Sequence, residues 1–105
     1  FHMDGGSTYI NAECDDGTNE TDATTTATTF TAGTALANRV EGWIDCRYLT
    51  SIKFYLDGVR VASGTTFSVA AMTNALGLLA HVEKTTGTET ADMTIDWLRA
   101  RIAQM

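Results

Sequence analysis

An all-β fold, an antiparallel β-sandwich of short strands, follows from three features of the sequence. Asp57-Gly58 stands between two alternating apolar runs, the pattern of a two-residue hairpin. Threonine fills 19 of the 105 positions, most densely from Thr21 to Thr34, and β-branched residues at that density favour strand over helix. Further short alternating stretches recur with turn residues between them, the spacing of a sandwich or barrel. A chain of 105 residues fits one hydrophobic core, so a single domain over 1–105 is expected.

Phe1-His2-Met3 reads as the end of a strand and Asp4-Gly5-Gly6-Ser7 as the turn after it. Thr8 to Asp15 alternates Ile10, Ala12 and Cys14 against Tyr9, Asn11 and Glu13, one face inward and one outward. In the threonine-rich run, Thr24, Thr26, Thr28 and Phe30 share one face and Thr25, Ala27, Thr29 and Thr31 the other. Neither face is strongly apolar, which predicts a partly covered strand at a sheet edge or against a neighbouring subunit. A regular threonine array also suits an ice-binding face, but no fixed repeat continues past this strand. Arg39 to Cys46 sets Val40, Gly42, Ile44 and Cys46 against Arg39, Glu41, Trp43 and Asp45.

The hairpin comes next, and its register follows from arithmetic. With Leu56 opposite Val59, Tyr55 faces Arg60 and Phe54 faces Val61, so Ile52, Phe54, Leu56, Val59 and Val61 share one face. Lys53, Tyr55, Arg60 and Ala62 take the other. Thr66 to Ala71, Leu78 to Lys84 and Met93 to Ile102 complete the strands, with turn signals at Asn74, Gly77 and Gly87. Ile95, Leu98, Ile102 and Met105 also fit a helical spacing, but the alternation of Met93, Ile95 and Trp97 favours a strand through Leu98.

Charge and composition exclude several function classes. Thirteen acidic residues against 7 basic ones give a net charge of -6, the wrong sign for a phosphate backbone, so nucleic acid is not an expected partner. The uncharged run from Val61 to Ala80 is interrupted by Ser63, Gly64, Thr65, Thr66, Ser68, Thr73 and Asn74, which excludes a membrane span. Cys14 and Cys46 both fall on apolar faces, so buried thiols are preferred to the one bridge they could form.

The order Phe54-Tyr55-Leu56-Asp57-Gly58-Val59-Arg60-Val61-Ala62, a Thr/Ser/Ala-rich link, Leu76 to Val82, Thr85-Thr86-Gly87-Thr88 and Met93-Thr94-Ile95-Asp96-Trp97-Leu98 resembles the second half of concanavalin A-like (LamG-like) jelly-roll domains. In that family an aromatic-Asp-Gly hairpin and a late hydrophobic-Asp-aromatic-hydrophobic strand recur. The Asp15-Asp16-Gly17-Thr18-Asn19-Glu20 turn and the threonine-rich strand look similar to versions in virion proteins of tailed bacteriophages. The resemblance implies a jelly-roll sandwich at the virion surface, or in an extracellular setting. Complete domains of that kind run to about twice this length. The expectation is a C-terminal portion of a longer protein, whose uncovered face another chain completes, with a minimal sandwich as the alternative.

Candidate chemistry is sparse. The only histidines are His2 and His81, and no Cys-x-x-Cys, His-x-x-x-His or Gly-x-Ser-x-Gly arrangement places a metal or a nucleophile, so neither a metal site nor a catalytic residue is assigned. His81 reads as a surface or interface imidazole. Glycoside hydrolysis needs two carboxylates across a cleft. The Glu-x-Asp-x-x-Glu pattern of the glucanases in the resembled fold has no match, because Thr18 stands where the second Glu belongs. The Asp15 to Glu20 loop offers several hard oxygens, but Asp, Asn and Gly are also ordinary turn residues, and a plain hairpin turn is the preferred reading over a calcium site.

Trp43, Tyr55, Arg60, Glu41 and Asp45 fall on outward faces of neighbouring strands and are the candidate binding residues, for a protein interface or a glycan. The expected function is a non-enzymatic structural or binding module without a cofactor, a bacteriophage capsid decoration or fibre component. It would act through contacts in a homo-oligomer, with a trimer favoured, or with other virion proteins. A lectin-like carbohydrate-binding domain is the alternative, and a glycoside hydrolase fragment stands third.

Overall fold

The computed structural model describes residues 1–3, 8–29, 39–74, 79–81, 88 and 94–101. The chain divides into two compact units, Phe1–Thr73 and Asn74–Met105. The first unit is all-β, with two antiparallel sheets and no helix among the described residues.

One sheet pairs β1 (Tyr9–Asp15) with β2 (Glu20–Thr29). The alternation expected for β1 holds, with Ile10 and Ala12 buried and Cys14 half-buried against the core. β1 has a second neighbour, because His2 and Asn11 exchange both backbone hydrogen bonds at 3.1 and 2.8 Å. Among the described residues β2 pairs only with β1. Its register against β1 shifts twice, between Tyr9 and Asn11 and between Ala12 and Cys14. At the first shift β2 carries two residues more than β1 between paired positions, and Ala27 adopts φ 59° there, in the left-handed region. Thr26 still turns inward, and its buried hydroxyl donates to the Ile10 carbonyl at 2.7 Å.

The second sheet has the order β3 (Gly42–Asp45), β4 (Lys53–Leu56), β5 (Val59–Val61). The hairpin register is the one derived above: Leu56 opposite Val59, Tyr55 opposite Arg60, Phe54 opposite Val61. Asp57 and Gly58 take φ 49° and 78°, both positive as a type I′ turn requires. Ile52, Phe54, Leu56 and Val61 are buried, but Val59 is 65% exposed. Alternation fixes the face on which Val59 lies and not what lies over it. The hairpin tip overhangs the core.

β3 is shorter than the expected Arg39 to Cys46, and its inward face is covered unevenly. Val40 and Cys46 pack against the core, whereas Ile44 is 46% exposed. At Gly42 the ring of Phe1 takes the place of a side chain, with carbons 3.1 and 3.2 Å from where a Cβ would stand. Phe1 in turn meets Phe54 edge-to-face at 5.1 Å between centroids, and Phe54 meets Phe67 the same way at 4.8 Å.

The segment from Thr66 to Ala71, expected to be a strand, makes only an isolated antiparallel bridge, Phe67 to Ile52, and with Thr65 forms a strap between the sheets. Phe67 and Val69 are buried, but their backbones bond singly to the second sheet's neighbourhood: Ile52 N–H donates to the Phe67 carbonyl, and Val69 N–H to the Leu49 carbonyl. Toward the first sheet, Cys14 donates to the Ser68 carbonyl at 3.3 Å, the hydroxyls of Thr24 and Thr65 meet at 3.4 Å, and Ala71 N–H donates to Asp16. The backbone groups are satisfied by scattered partners, so no ladder forms. Residues of both sheets and the strap make up one core.

In the second unit, Leu79–His81, Thr88 and Thr94–Arg101 are exposed and form neither strand nor helix. The strand expected through Leu98 is corrected there. Alternation provides an apolar face, but a strand also needs a ladder partner, and none exists for this segment among the described residues. The turn at Asp4 to Ser7, Phe30, Thr31, Gly77, Gly87 and most of Leu78 to Lys84 lie outside the described residues.

Candidate functional site

The outward face of the β3–β4–β5 sheet gathers the five candidate residues. β3 pairs with β4 so that Trp43 stands opposite Tyr55, and Tyr55 opposite Arg60, which sets Trp43, Tyr55 and Arg60 in one row across three strands. Trp43 is 57% exposed, Tyr55 half-buried and Arg60 exposed. Sequence arithmetic gives the Tyr55–Arg60 half of this row. The Trp43–Tyr55 half depends on pairing across a longer connection and becomes visible only in the structure.

Asp45 lies one step along β3 on the same face, opposite Lys53. Its carboxylate is held by Arg47, whose Nε donates to Oδ1 at 2.9 Å and whose Nη2 donates to Oδ2 at 2.7 Å. Arg47 N–H adds a third bond at 3.1 Å. These hydrogen bonds, with the neighbouring charges of Arg47 and Lys53, hold the Asp45 carboxyl at about 2, well below the ordinary 3.8. A carboxylate held so low is a poor proton donor near neutral pH. Lys53 belongs to this face as the hairpin alternation predicts, whereas motif reading missed Arg47. The signal for Arg47 was its place two residues after Asp45, where a guanidinium reaches back to the carboxylate.

Glu41 borders the row at the start of β3. Its backbone is fixed from the hairpin turn: Asp57 N–H donates to the Glu41 carbonyl at 2.8 Å, and Glu41 N–H donates to Asp57 Oδ1 at 2.9 Å. Asp57 thus serves the turn and also clamps the turn to β3. The Glu41 side chain is exposed.

Elsewhere the acidic loop at Asp15 to Glu20 spends its oxygens on backbone N–H groups, mostly its own. Asp15 accepts from Gly17 N–H at 2.7 Å, and Asp16 accepts from Thr18 and Asn19 N–H at 3.0 and 2.7 Å and from Ala71 N–H at 3.0 Å. The Asn19 bond leads in holding the Asp16 carboxyl below its ordinary range. Among the described residues no group of three or more His, Cys, Asp and Glu is placed to hold a metal ion. Cys14 and Cys46 are free thiols, both half-buried, and burial raises the Cys46 thiol. His81 is exposed, and His2 Nδ1 lies 3.3 Å from a Glu13 oxygen.

Compared with protein-family models, with curated proteins and with solved structures, the chain matches none.

Proposed function

We propose that this protein is a non-enzymatic structural and binding module that works through protein–protein contacts in a homo-oligomer. The observation that carries this reading is the row Trp43, Tyr55, Arg60 on an exposed sheet face, with Ile44 uncovered on the opposite face of the same β3 edge. Aromatic and arginine side chains are the enriched anchors of protein interfaces, and an exposed edge strand with apolar residues on both faces invites a covering partner. Asp45 is committed to Arg47, which fits a structural role for this carboxylate better than acid–base work. The sequence resemblance makes the finer setting a jelly-roll-like component at the surface of a bacteriophage virion, a capsid decoration or fibre element.

A second reading is favoured by the same row. Trp43 and Tyr55 are direct cross-strand neighbours with a cation beside them, the makings of a platform on which a sugar ring stacks. Light scattering coupled to size exclusion separates the two. A discrete closed oligomer supports the assembly reading. A monomer that binds glycans saturably, and loses that binding on Trp43→Ala, overturns it in favour of the lectin.

A further inference from the structure

The assembly reading leaves open which surface meets which, and β3 answers this through its hydrogen-bond phase and charge order. Among the described residues β3 pairs only with β4. The Glu41 carbonyl accepts from Asp57 on the β4 side. Backbone groups alternate along an antiparallel strand, so Trp43 and Asp45 also face β4, while Gly42 and Ile44 direct their N–H and carbonyl groups to the free edge. A strand added there must set even-numbered residues opposite its own bonding residues.

For a second copy running antiparallel about a twofold axis, this phase permits registers in which the paired residue numbers sum to an even value. Two of these overlap most of the strand Gly42–Asp45. Centred on Trp43, the pairing opposes Glu41 to Asp45 twice, like charge on like. Centred on Ile44, it opposes Ile44 to itself, Gly42 to Cys46 and Trp43 to Asp45, and brings Glu41 toward Arg47. The second register covers the half-exposed Ile44 with its twin and pairs opposite charges. Arg47 has the capacity, because its side chain is 72% exposed and Asp45 occupies only Nε and Nη2. The remaining guanidinium donors are open to a second carboxylate.

We propose that two copies of this chain pair antiparallel along β3, with Ile44 on the twofold axis and Glu41 of each copy against Arg47 of the other, so that two three-stranded sheets become one of six strands. This rests on the assembly reading above and specifies it as a dimer seam in place of the trimer expected from sequence. The seam is short, below the ~1,000 Å² of a stable complex, so the pairing is weak and concentration-dependent.

The test uses Glu41→Arg and Arg47→Glu in the full chain, followed by sedimentation velocity across a concentration series. Each reversal alone creates two like-charge contacts by symmetry and is expected to weaken self-association at least ~10-fold. Mixed in equal amounts, the two variants regain both opposite-charge contacts and are expected to associate with each other, a rescue that a misfolded variant does not give. Wild-type chain that stays monomeric throughout overturns both the seam and the assembly reading. Wild-type chain that associates but ignores both reversals, that associates more tightly with Glu41→Arg, or whose weakened variants fail to recover on mixing, overturns the seam alone.

Discussion

The β4–β5 hairpin and the threonine-rich β1–β2 pair are both antiparallel two-strand units, yet their registers are held by different physics. In the hairpin, turn chemistry and hydrophobic pattern specify the same pairing, and the ladder from Phe54–Val61 to Leu56–Val59 carries no irregularity. In the β1–β2 pair the second strand has no strongly apolar face to choose a register, and the pairing shifts twice. There the inward phase is kept by hydrogen bonds from threonine side chains. Thr26 donates to the Ile10 carbonyl and accepts from Thr28 N–H at 3.2 Å, bridging the shift. A strand can thus be fixed by buried apolar area or by local side-chain bonds, and the second device tolerates bulges that the first forbids.

The largest break in this contrast is expected on the apolar side. Phe54 is buried between the rings of Phe1 and Phe67 and contributes to the only core that the described residues show. Phe54→Ala is expected to cost about 3–5 kcal/mol, read as a lowered midpoint in urea unfolding, and to lower the protection of the hairpin amides from exchange. Loss of about 1 kcal/mol or less would mean that the hairpin is held by its turn alone. On the polar side, Thr26→Val preserves shape and removes the hydroxyl. It strands the Ile10 carbonyl and the Thr28 N–H, at an expected cost of about 1–3 kcal/mol in the same measurement. An effect within ~0.5 kcal/mol would show that apolar contacts, and not these bonds, hold the shifted register.

How much of this was legible in the sequence follows the same division. The hairpin was readable because its information is local: Asp57-Gly58 sets the turn, and Phe54, Leu56 and Val61 set the face. The alternation of Ile10, Ala12 and Cys14 was readable for the same reason. The bulge at Ala27 was not, since a run of threonines carries no phase signal that breaks where the ladder breaks. Nor was the strap at Thr65 to Ala71. Phe67 and Val69 gave it a strand's pattern, but its partners, Cys14 and Asp16 on one side and Leu49 and Ile52 on the other, come from two distant stretches of the chain. Trp43, Tyr55 and Arg60 stand in register across three strands, with Asp45 further along β3 and Glu41 just before it. Their arrangement into a row required the β3–β4 register, which Asp57 helps to fix through bonds to Glu41 that no turn rule contains.

The smallest and sharpest comparison sets the two left-handed positions of these units against each other. Gly58 has φ 78° in the hairpin, and Ala27 has φ 59° in the bulge. A Cβ at Gly58 would meet nothing within 4 Å, so space is not the constraint and any penalty for Gly58→Ala is backbone strain. That strain is expected to cost about 1–2 kcal/mol. At Ala27 the strain is already present in the native chain. Ala27→Gly relieves it but adds about 0.5–1 kcal/mol of unfolded-chain entropy, so the net is a stabilisation of roughly 0.5 kcal/mol. Paired urea titrations of the two variants give the signs directly. Opposite signs would establish that the bulge carries strain that glycine removes, whereas destabilisation by both would mean that β2 does not hold Ala27 left-handed in solution and that its threonines pair in a regular ladder.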